Sequence, residues 1–403
     1  MPVLVVGLLV AVALLKPDDA TETASTEAPV TDPFAPSTPS TPAPPSPEPI
    51  PVRPPDGDVR IATTTAEAER AVLMLNSGDS RSTAFLGRSA GRTYIYTAAH
   101  SITSTDFSLL SFRGDELPVH SNPEVVTGEA GHDLIRFPFR DSAQTFLEFA
   151  SREKIEEKPE VFALGDSGAE DILSTLPGRI QGVGPHKIEV DCEFIPGNSG
   201  GPIVTKEAKV VGVVSYATSN SSIWAKNTQH EVRRFAWIPA DNLEWVPVEL
   251  DKLAREPATI EGLWESHLVL IAISHVTPDD DGLSWSDDVT IDGRMLLDQV
   301  FAEAEDHPMV KGLFETNGSV LTALSSGESE LEGVRSFLRF FRFCADLAED
   351  QFSEADKTLV SSFHRKKLAD LRPLYEESVA DFRELAGAFD KHHELGRSLS
   401  SFK

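Results

Sequence analysis

Short apolar runs separated by turn residues dominate residues 61–250, and they constrain the fold more than any other feature of this 403-residue chain. Residues 93–97, 202–205 and 210–214 are examples, rich in Val, Ile and Thr. Gly, Ser, Asn and Asp break the runs at short spacing, and residues 87–91 have the composition of a hairpin turn. Such a pattern is typical of strands in an all-β sandwich or barrel.

From residue 251 onward the apolar pattern changes to the period of a helix. One face of an amphipathic helix is predicted by the spacing of Val334, Phe337, Leu338, Phe341, Cys344 and Leu347. A similar pattern over residues 359–385 predicts one or two more helices, interrupted near Pro373 because proline lacks an amide hydrogen. We therefore expect a helical accessory domain of unknown role at 251–403, after a β domain at 61–250.

The first 60 residues have the composition of an export segment followed by a tether. The apolar run at residues 3–15 is shorter than the roughly 20 residues needed to span a bilayer. Residues 1–16 are interpreted as a signal peptide or a short membrane anchor, and both readings stay open. Residues 17–60 are rich in Pro, Thr and Ser, with little apolar surface to offset the entropy of ordering, so we predict a disordered linker.

The composition excludes several classes of partner. A formal net charge of −28 disfavours binding to nucleic acid and to anionic lipid. The two cysteines, Cys192 and Cys344, form neither a disulfide framework nor a metal-ligand set. We expect no metal and no cofactor.

A glycine-rich loop at residues 196–202 presents Ser199 on a sharp turn. A serine nucleophile needs such exposure, a base, a carboxylate that fixes the tautomer of the base, and two N–H groups aimed at the developing oxyanion. The surrounding glycines allow a close approach to substrate, and we expect the N–H groups of Gly197 and Ser199 to form the oxyanion hole. Taken alone, the loop also fits a hairpin without a catalytic role.

Two further segments supply the other groups. His100 follows the predicted strand at residues 93–97, and Asp133 begins the apolar segment at residues 133–137. We interpret His100 as the general base, Asp133 as the carboxylate that orients it, and His132 as a surface neighbour. Each is weak evidence alone, and the combination predicts a catalytic triad.

With the chain order His100, Asp133, Ser199, these segments resemble the trypsin-like (chymotrypsin-fold) serine peptidases, whose order differs from that of subtilisins and α/β-hydrolases. Within that family the chain most resembles the high-temperature-requirement group of bacterial envelope proteases. The motifs that follow this group's order lie at residues 162–165, 178–180, 197–202, 212–214 and 235–239. The resemblance covers residues 65–248. It implies a mainly β fold of two six-stranded-type β-barrels, followed here by the α-helical C-terminal domain.

The resemblance also implies a primary specificity pocket. Ser215, Tyr216 and Ala217 would lie alongside the substrate and form one wall of this pocket. Ala217 stands where the family often has glycine, so its methyl group would favour small or medium apolar substrate side chains. Ile195 would add an apolar wall. Glu193 lies where arginine- and lysine-specific relatives place an acid, which leaves a basic preference open.

Two departures from the family limit what can be carried over. The high-temperature-requirement group usually has a peptide-binding PDZ domain after the protease, whereas residues 251–403 have a helical pattern. Allosteric control and oligomeric state are therefore not inferred. Asn198 stands where animal digestive members have an aspartate that pairs with a freed N-terminus, so we expect no activation by N-terminal clipping.

The sequence thus predicts a serine endopeptidase that cleaves polypeptides through an acyl-enzyme outside the cytoplasm, with a membrane tether at its N-terminus as one of the two readings of residues 1–16. The alternatives are a catalytically silent protease-fold binding module, or a sensor whose acidic helical domain recruits a protein partner. The complete set of His100, Asp133 and Ser199 favours the enzyme.

Overall fold

The computed structural model describes residues 59–119, 121–141, 143–220, 231–239, 242–279, 282–285, 291–325 and 330–400. The predicted segment at 1–16 and residues 17–58 of the predicted linker at 17–60 lie outside these residues. Among the helices that the described ranges contain, none is long and apolar enough to cross a membrane.

The β region occupies the first part of the described chain. Its strands are β1 (Arg60–Ile61), β2 (Val72–Ser77), β3 (Ser80–Ser89), β4 (Arg92–Thr97), β5 (Phe107–Ser111), β6 (Glu124–Val126), β7 (Ile135–Pro138), β8 (Thr145–Phe149), β9 (Glu160–Asp166), β10 (Leu173–Val183), β11 (Lys187–Val190), β12 (Pro202–Thr205), β13 (Lys209–Asn220), β14 (Glu231–Trp237) and β15 (Trp245–Pro247). Two short helices, α1 (Thr65–Ala68) and α2 (Arg152–Glu156), interrupt them.

The helical region follows β15. It contains α3 (Leu250–Ser274), a hairpin of β16 (Val276–Asp279) and β17 (Gly282–Trp285), α4 (Ile291–Glu303), α5 (Pro308–Ser325), α6 (Glu330–Thr358) and α7 (Ser362–Ser400).

Six strands close into a β-barrel in the second half of the β region. They pair in the order β12, β9, β10, β11, β14, β13, and β13 returns to β12. Alternate residues turn inward, and Ala163, Ile188, Val214 and Ala236 are buried together in its core. The prediction of a mainly β fold with a helical C-terminal part is therefore confirmed, as is one six-stranded barrel.

The first half of the β region is a sheet in which β5, β2, β3, β4, β7, β6 and β15 are neighbours. Strand β8 pairs in parallel with β3 and with β13, and so connects this sheet to the barrel. The outer strands β6 and β15 have three residues each, and among the described strands no ladder joins either of them to β5. Closure into a second barrel stays a prediction.

The helical region contains a pair of long antiparallel helices, α6 and α7. Phe352 contacts Tyr375 and Phe341 contacts Phe382, with ring centroids 5.4 and 5.8 Å apart. The helix predicted over residues 334–347 lies within α6. The predicted interruption near Pro373 is wrong, because α7 runs through this residue. Its missing hydrogen bond costs about 3 kcal/mol in a helix interior, and we attribute the tolerance to the burial of Leu371 and Tyr375 beside it.

The described residues from Val59 onward pack as one compact unit. The proposed division at residue 250 stays a prediction, although β15 ends at Pro247 and α3 begins at Leu250. Cys192 and Cys344 are both free and buried.

Candidate active site

The loop that carries Ser199 lies between β11 and β12, and two glycines shape it. Gly197 has φ +99° and Gly200 has φ +81°, both in the left-handed region that favours glycine. A Cβ atom on Gly200 would collide with the Thr97 hydroxyl and with the amide of Ala98. The serine loop therefore lies directly against the segment that leads into His100.

Hydrogen bonds hold this loop on the neighbouring strand β3. The amide of Thr83 donates to the carbonyl of Ser199 at 2.9 Å, and its hydroxyl donates to the carbonyl of Gly197 at 2.8 Å. Asn198 is buried, and its side-chain oxygen accepts hydrogen bonds from Ser167 and from the amide of Ile195. The backbone around Ser199 is thus held in place by hydrogen bonds on both sides.

The N–H groups of Gly197 and Ser199, the two predicted oxyanion donors, point away from the carbonyl groups of the same peptide bonds. The carbonyls of Pro196 and Asn198 accept from the amides of Gly168 and Gly201, at 2.8 and 2.9 Å. In a trans peptide the N–H is opposite the C=O, so the N–H groups of Gly197 and Ser199 face the other side. Among the described residues neither N–H donates a hydrogen bond, which leaves both available to an anionic oxygen.

His100 lies in a 3₁₀ turn, Ala99–Ser101, that follows β4. Ala98 and Ala99 are fully buried, so the backbone at this point is packed against the protein. One third of the His100 side chain is exposed to solvent. The backbone that carries the imidazole is therefore held in place, while one edge of the ring is accessible to solvent.

Asp133 is fully buried and holds the imidazole from behind. Its Oδ2 lies 2.6 Å from His100 Nδ1, and its Oδ1 accepts from the amide of His100 at 3.0 Å. The hydroxyl of Ser215 donates to Oδ2 at 2.5 Å. This arrangement places the hydrogen of the neutral ring on Nδ1, and so leaves the lone pair on Nε2.

The charges of the pair are coupled. Burial lowers the pKa of His100, but the charge of Asp133 and the hydrogen bond to it outweigh burial, so the pKa lies above its usual value of 6.5; Lys367 opposes this rise. Burial raises the pKa of Asp133, but the charge of His100 and the hydrogen bonds from His100 and Ser215 bring it down to about 2. Asp133 thus stays ionised at neutral pH and stabilises an imidazolium.

The residues predicted for the specificity pocket lie in different environments. Ser215 is buried and binds Asp133, a role that the sequence did not indicate. The ring of Tyr216 stacks on Phe235 at 5.2 Å, and Ala217 and Glu193 are exposed. Ile195 is 48% exposed. These positions leave the predicted preference untested.

One expectation for a neighbour of Asp133 is wrong. His132 is buried, 4.8 Å between ring centroids from Trp237 and 5.0 Å from His186. Burial lowers its pKa to about 4, and the nearby charges of His186 and Lys187 act in the same direction. Trp237 packs on His132 and shields it from solvent, although the sequence suggested an exposed position at the start of a strand.

Sequence reasoning also missed residues that contact the predicted triad residues or their loops. Thr83 supports the serine loop, and no motif marks it. Phe363, in the first turn of α7, has its ring centroid 5.9 Å from that of His100. The two residues are far apart in the sequence, and no local pattern relates them.

Comparison with known proteins identifies part of the β region. Residues 82–213 match the family model described as a trypsin-like peptidase domain. Comparison with curated proteins gave no significant match. The trypsin-like resemblance, and with it the prediction of a serine endopeptidase, is confirmed for this part of the chain.

Several solved protease structures are similar to the chain. The active form of the Rv3671c protease from M. tuberculosis is 17% identical, with 49% of this chain and 97% of that chain covered and a TM-score of 0.34. The serine endoprotease from Yersinia pestis is 18% identical, with 43% and 60% covered and a TM-score of 0.34. The HtrA-type protease AlgW is 19% identical, with 43% and 58% covered and a TM-score of 0.33. Likenesses this distant add nothing to the assignment, which depends on the domain match and the strand pairing.

Proposed function

We propose that this trypsin-like peptidase domain cleaves polypeptides with Ser199 as nucleophile, His100 as general base and Asp133 as the group that orients and stabilises His100. The observation that carries the proposal is the fixed His100–Asp133 pair, at 2.6 Å, with one third of the imidazole open to solvent. A general base needs both a defined tautomer and access to the substrate.

In the proposed reaction, His100 Nε2 takes the proton of the Ser199 hydroxyl as its oxygen attacks the scissile carbonyl. The N–H groups of Gly197 and Ser199 stabilise the oxyanion that forms. The imidazolium then gives its proton to the leaving amine, and an acyl-enzyme on Ser199 remains. Water, activated by the same imidazole, hydrolyses the ester and restores Ser199.

The cleft beside the nucleophile is proposed to select the substrate side chain before the scissile bond. Ser215, Tyr216 and Ala217 would form one side, with Ile195 adding apolar surface. Small or medium apolar side chains are expected, because the methyl group of Ala217 narrows the entrance. Profiling cleavage of a mixed peptide library tests this: cleavage mainly after Arg or Lys, lost in Glu193→Ala, would reverse the preference.

The wider setting is also part of the proposal. Residues 1–16, as a signal peptide or membrane anchor, and the linker at 17–60 would place the protease outside the cytoplasm, as in the envelope proteases it resembles. The sheet of β2 to β7 would complete a two-barrel protease fold. The acidic helical region would bind a protein partner. Localisation of the full chain and of a chain lacking residues 1–57 would test the tether.

The direct test of the activity is labelling with a fluorophosphonate, which reacts with an activated serine. The wild-type chain should be labelled, and Ser199→Ala should not. Ser353→Ala is a matched control, because Ser353 is an exposed serine on α6, and its labelling should equal that of the wild type. Labelling that survives Ser199→Ala would show that another serine is activated, and an unlabelled wild-type chain would favour the binding-module alternative.

A further inference from the structure

The first turn of α7 is attached to the loop that leads into Asp133. The hydroxyl of Ser362 donates to the carbonyl of Gly128 at 2.6 Å and accepts from the amide of Gly131 at 3.1 Å. Gly131 has φ +72°, and a Cβ atom there would collide with the side chain of Lys366. The helical region and the loop that leads into Asp133 therefore pack closely at this point.

This attachment places an aromatic side chain beside the proposed base. The ring of Phe363 is half-buried and packs on the core of the β region. Its centroid lies 5.9 Å from that of the His100 ring, with the two planes inclined by 44°. Because His100 must reach both the nucleophile and the leaving amine, a partly exposed side chain in contact with its ring lies close to the scissile bond.

A cation lies next to this aromatic ring. The ammonium group of Lys367 is 5.4 Å from the centroid of Phe363, within cation–π range. Lys367 is exposed and, among the described residues, has no ion-pair partner. Its neighbour Lys366, in contrast, pairs with Asp370. The Phe363 ring is a common neighbour of the Lys367 ammonium group and the His100 ring, and the charge of Lys367 acts to lower the pKa of His100.

A buried carboxylate holds this turn in place. Glu256, on α3, accepts hydrogen bonds from the amides of Val360 and Ser361, and from the Ser361 hydroxyl at 2.5 Å. Its Oε2 also lies 2.8 Å from Nδ1 of His364. Phe363 is therefore presented by a rigid turn, which reduces the entropy lost when a ligand binds.

We propose that Phe363 and Lys367 form a substrate subsite, supplied by the helical region, for an acidic side chain that flanks the scissile bond. This inference rests on the proposed peptidase activity. The aliphatic part of a Glu side chain would pack on the Phe363 ring, and its carboxylate would pair with Lys367. The positive charge of Lys367 destabilises the imidazolium that forms on His100 during the proposed reaction. A substrate carboxylate paired with Lys367 would offset this charge.

The test uses the full chain and peptides that differ only by Glu, Gln or Lys at each position around the cleaved bond. At one position the wild type should cleave the Glu peptide with a kcat/KM about fivefold above that of the Gln peptide, as expected for a solvent-accessible ion pair. Lys367→Glu should reverse the order and favour Lys. Lys311→Glu makes the same change of charge on α5, where Lys311 pairs with Asp306, and should leave the preference unchanged.

Two results would overturn the subsite. One is a Lys367→Glu enzyme with the preferences of the wild type. The other is an equal rise in kcat/KM for all peptides in Phe363→Ala, which would show that the ring obstructs the cleft. Ser199→Ala and fluorophosphonate labelling run in parallel separate the two levels of the argument. Cleavage that needs Ser199 but ignores the flanking charge removes only the subsite, whereas a wild type that neither cleaves nor reacts removes the peptidase as well.

Discussion

Two regions of this protein each pair a histidine with a buried carboxylate, and the two pairs differ in how much of the histidine is exposed. In the β region, Asp133 is fully buried but the His100 side chain is one third exposed. In the helical region, the side chains of His364 and Glu256 are 3% and 2% exposed. Ser361 completes the second group, and it is buried as well.

The difference lies in which hydrogen-bonding groups remain unused. The Ser361 hydroxyl lies 2.5 Å from Glu256 and 2.9 Å from His364 Nδ1, so the second group satisfies itself. Ser199 has no hydrogen bond from its hydroxyl among the described residues, and the bond between Asp133 and Nδ1 leaves Nε2 of His100 outside the pair. The same residue types therefore stabilise a turn when they are enclosed, and under the proposed mechanism they catalyse when one edge of the histidine is exposed.

The largest expected effect separates the two serines. Ser199→Ala should lower kcat by about a millionfold, as loss of a triad nucleophile does, with little change in stability. Ser361→Ala should keep a measurable kcat and lose stability instead. Steady-state kinetics and thermal melts of both variants check this. An inactive but fully stable Ser361→Ala variant would contradict this prediction, because it would give Ser361 a chemical role.

The second effect concerns the buried carboxylate of the helical region. Glu256→Gln should lower the free energy of unfolding by about 3 kcal/mol, because it breaks a buried pair and leaves the N–H and O–H donors of Val360 and Ser361 imperfectly matched. Burial raises the pKa of Glu256, but His364 and the hydrogen bonds at this turn lower it overall, so the ionised form is the stabilising one. Chemical denaturation measures the loss. Glu261→Gln, at an exposed position of the same helix, is the control and should change stability by less than about 0.5 kcal/mol.

The third effect is on the pH dependence of the activity, which the proposed general base His100 would set. The base must be neutral to act, and the pKa of His100 lies above 6.5, so kcat/KM should rise with pH through an inflection above this value. Lys367 lowers that pKa, so Lys367→Gln should move the inflection to higher pH. Lys311→Gln should leave it in place. A shift to lower pH in Lys367→Gln would contradict the placement of this charge.

A smaller effect is expected where the two regions are joined. Ser362→Ala removes the hydrogen bonds to Gly128 and Gly131, and should cost about 1 kcal/mol of stability. We expect kcat to fall a few-fold, since the loop before Asp133 becomes less constrained. Ser353→Ala should alter neither quantity. Unchanged activity in Ser362→Ala, together with the expected loss of stability, would show that the attachment does not reach the triad.

The smallest expected effect is that of chelation. The proposed reaction stabilises its oxyanion with backbone N–H groups, so dialysis against EDTA should leave both activity and melting temperature unchanged. Histidine and carboxylate are also metal ligands, and the measurement covers both groups at once. Activity lost on dialysis and restored by a divalent ion would give one of them a different role.

Much of the candidate site could be predicted from the sequence because each of its parts is local. The glycines at 197 and 200 indicate the turn that carries Ser199. The strand pattern before His100 indicates that His100 lies at the end of a strand. The helical period over residues 334–347 likewise depends on neighbours within a few turns. Backbone conformation at such positions depends on residues close in the chain, so one sequence is enough to indicate them.

Only the tertiary structure determined which distant residues meet. Pro373 continues a helix because buried neighbours offset its missing hydrogen bond, and His132 is enclosed by Trp237. Ser362 binds Gly131 across 231 positions of the chain, and this contact sets Phe363 against His100. Such contacts depend on how whole elements pack, and packing energy is shared among many side chains. No short pattern in the sequence can therefore specify them.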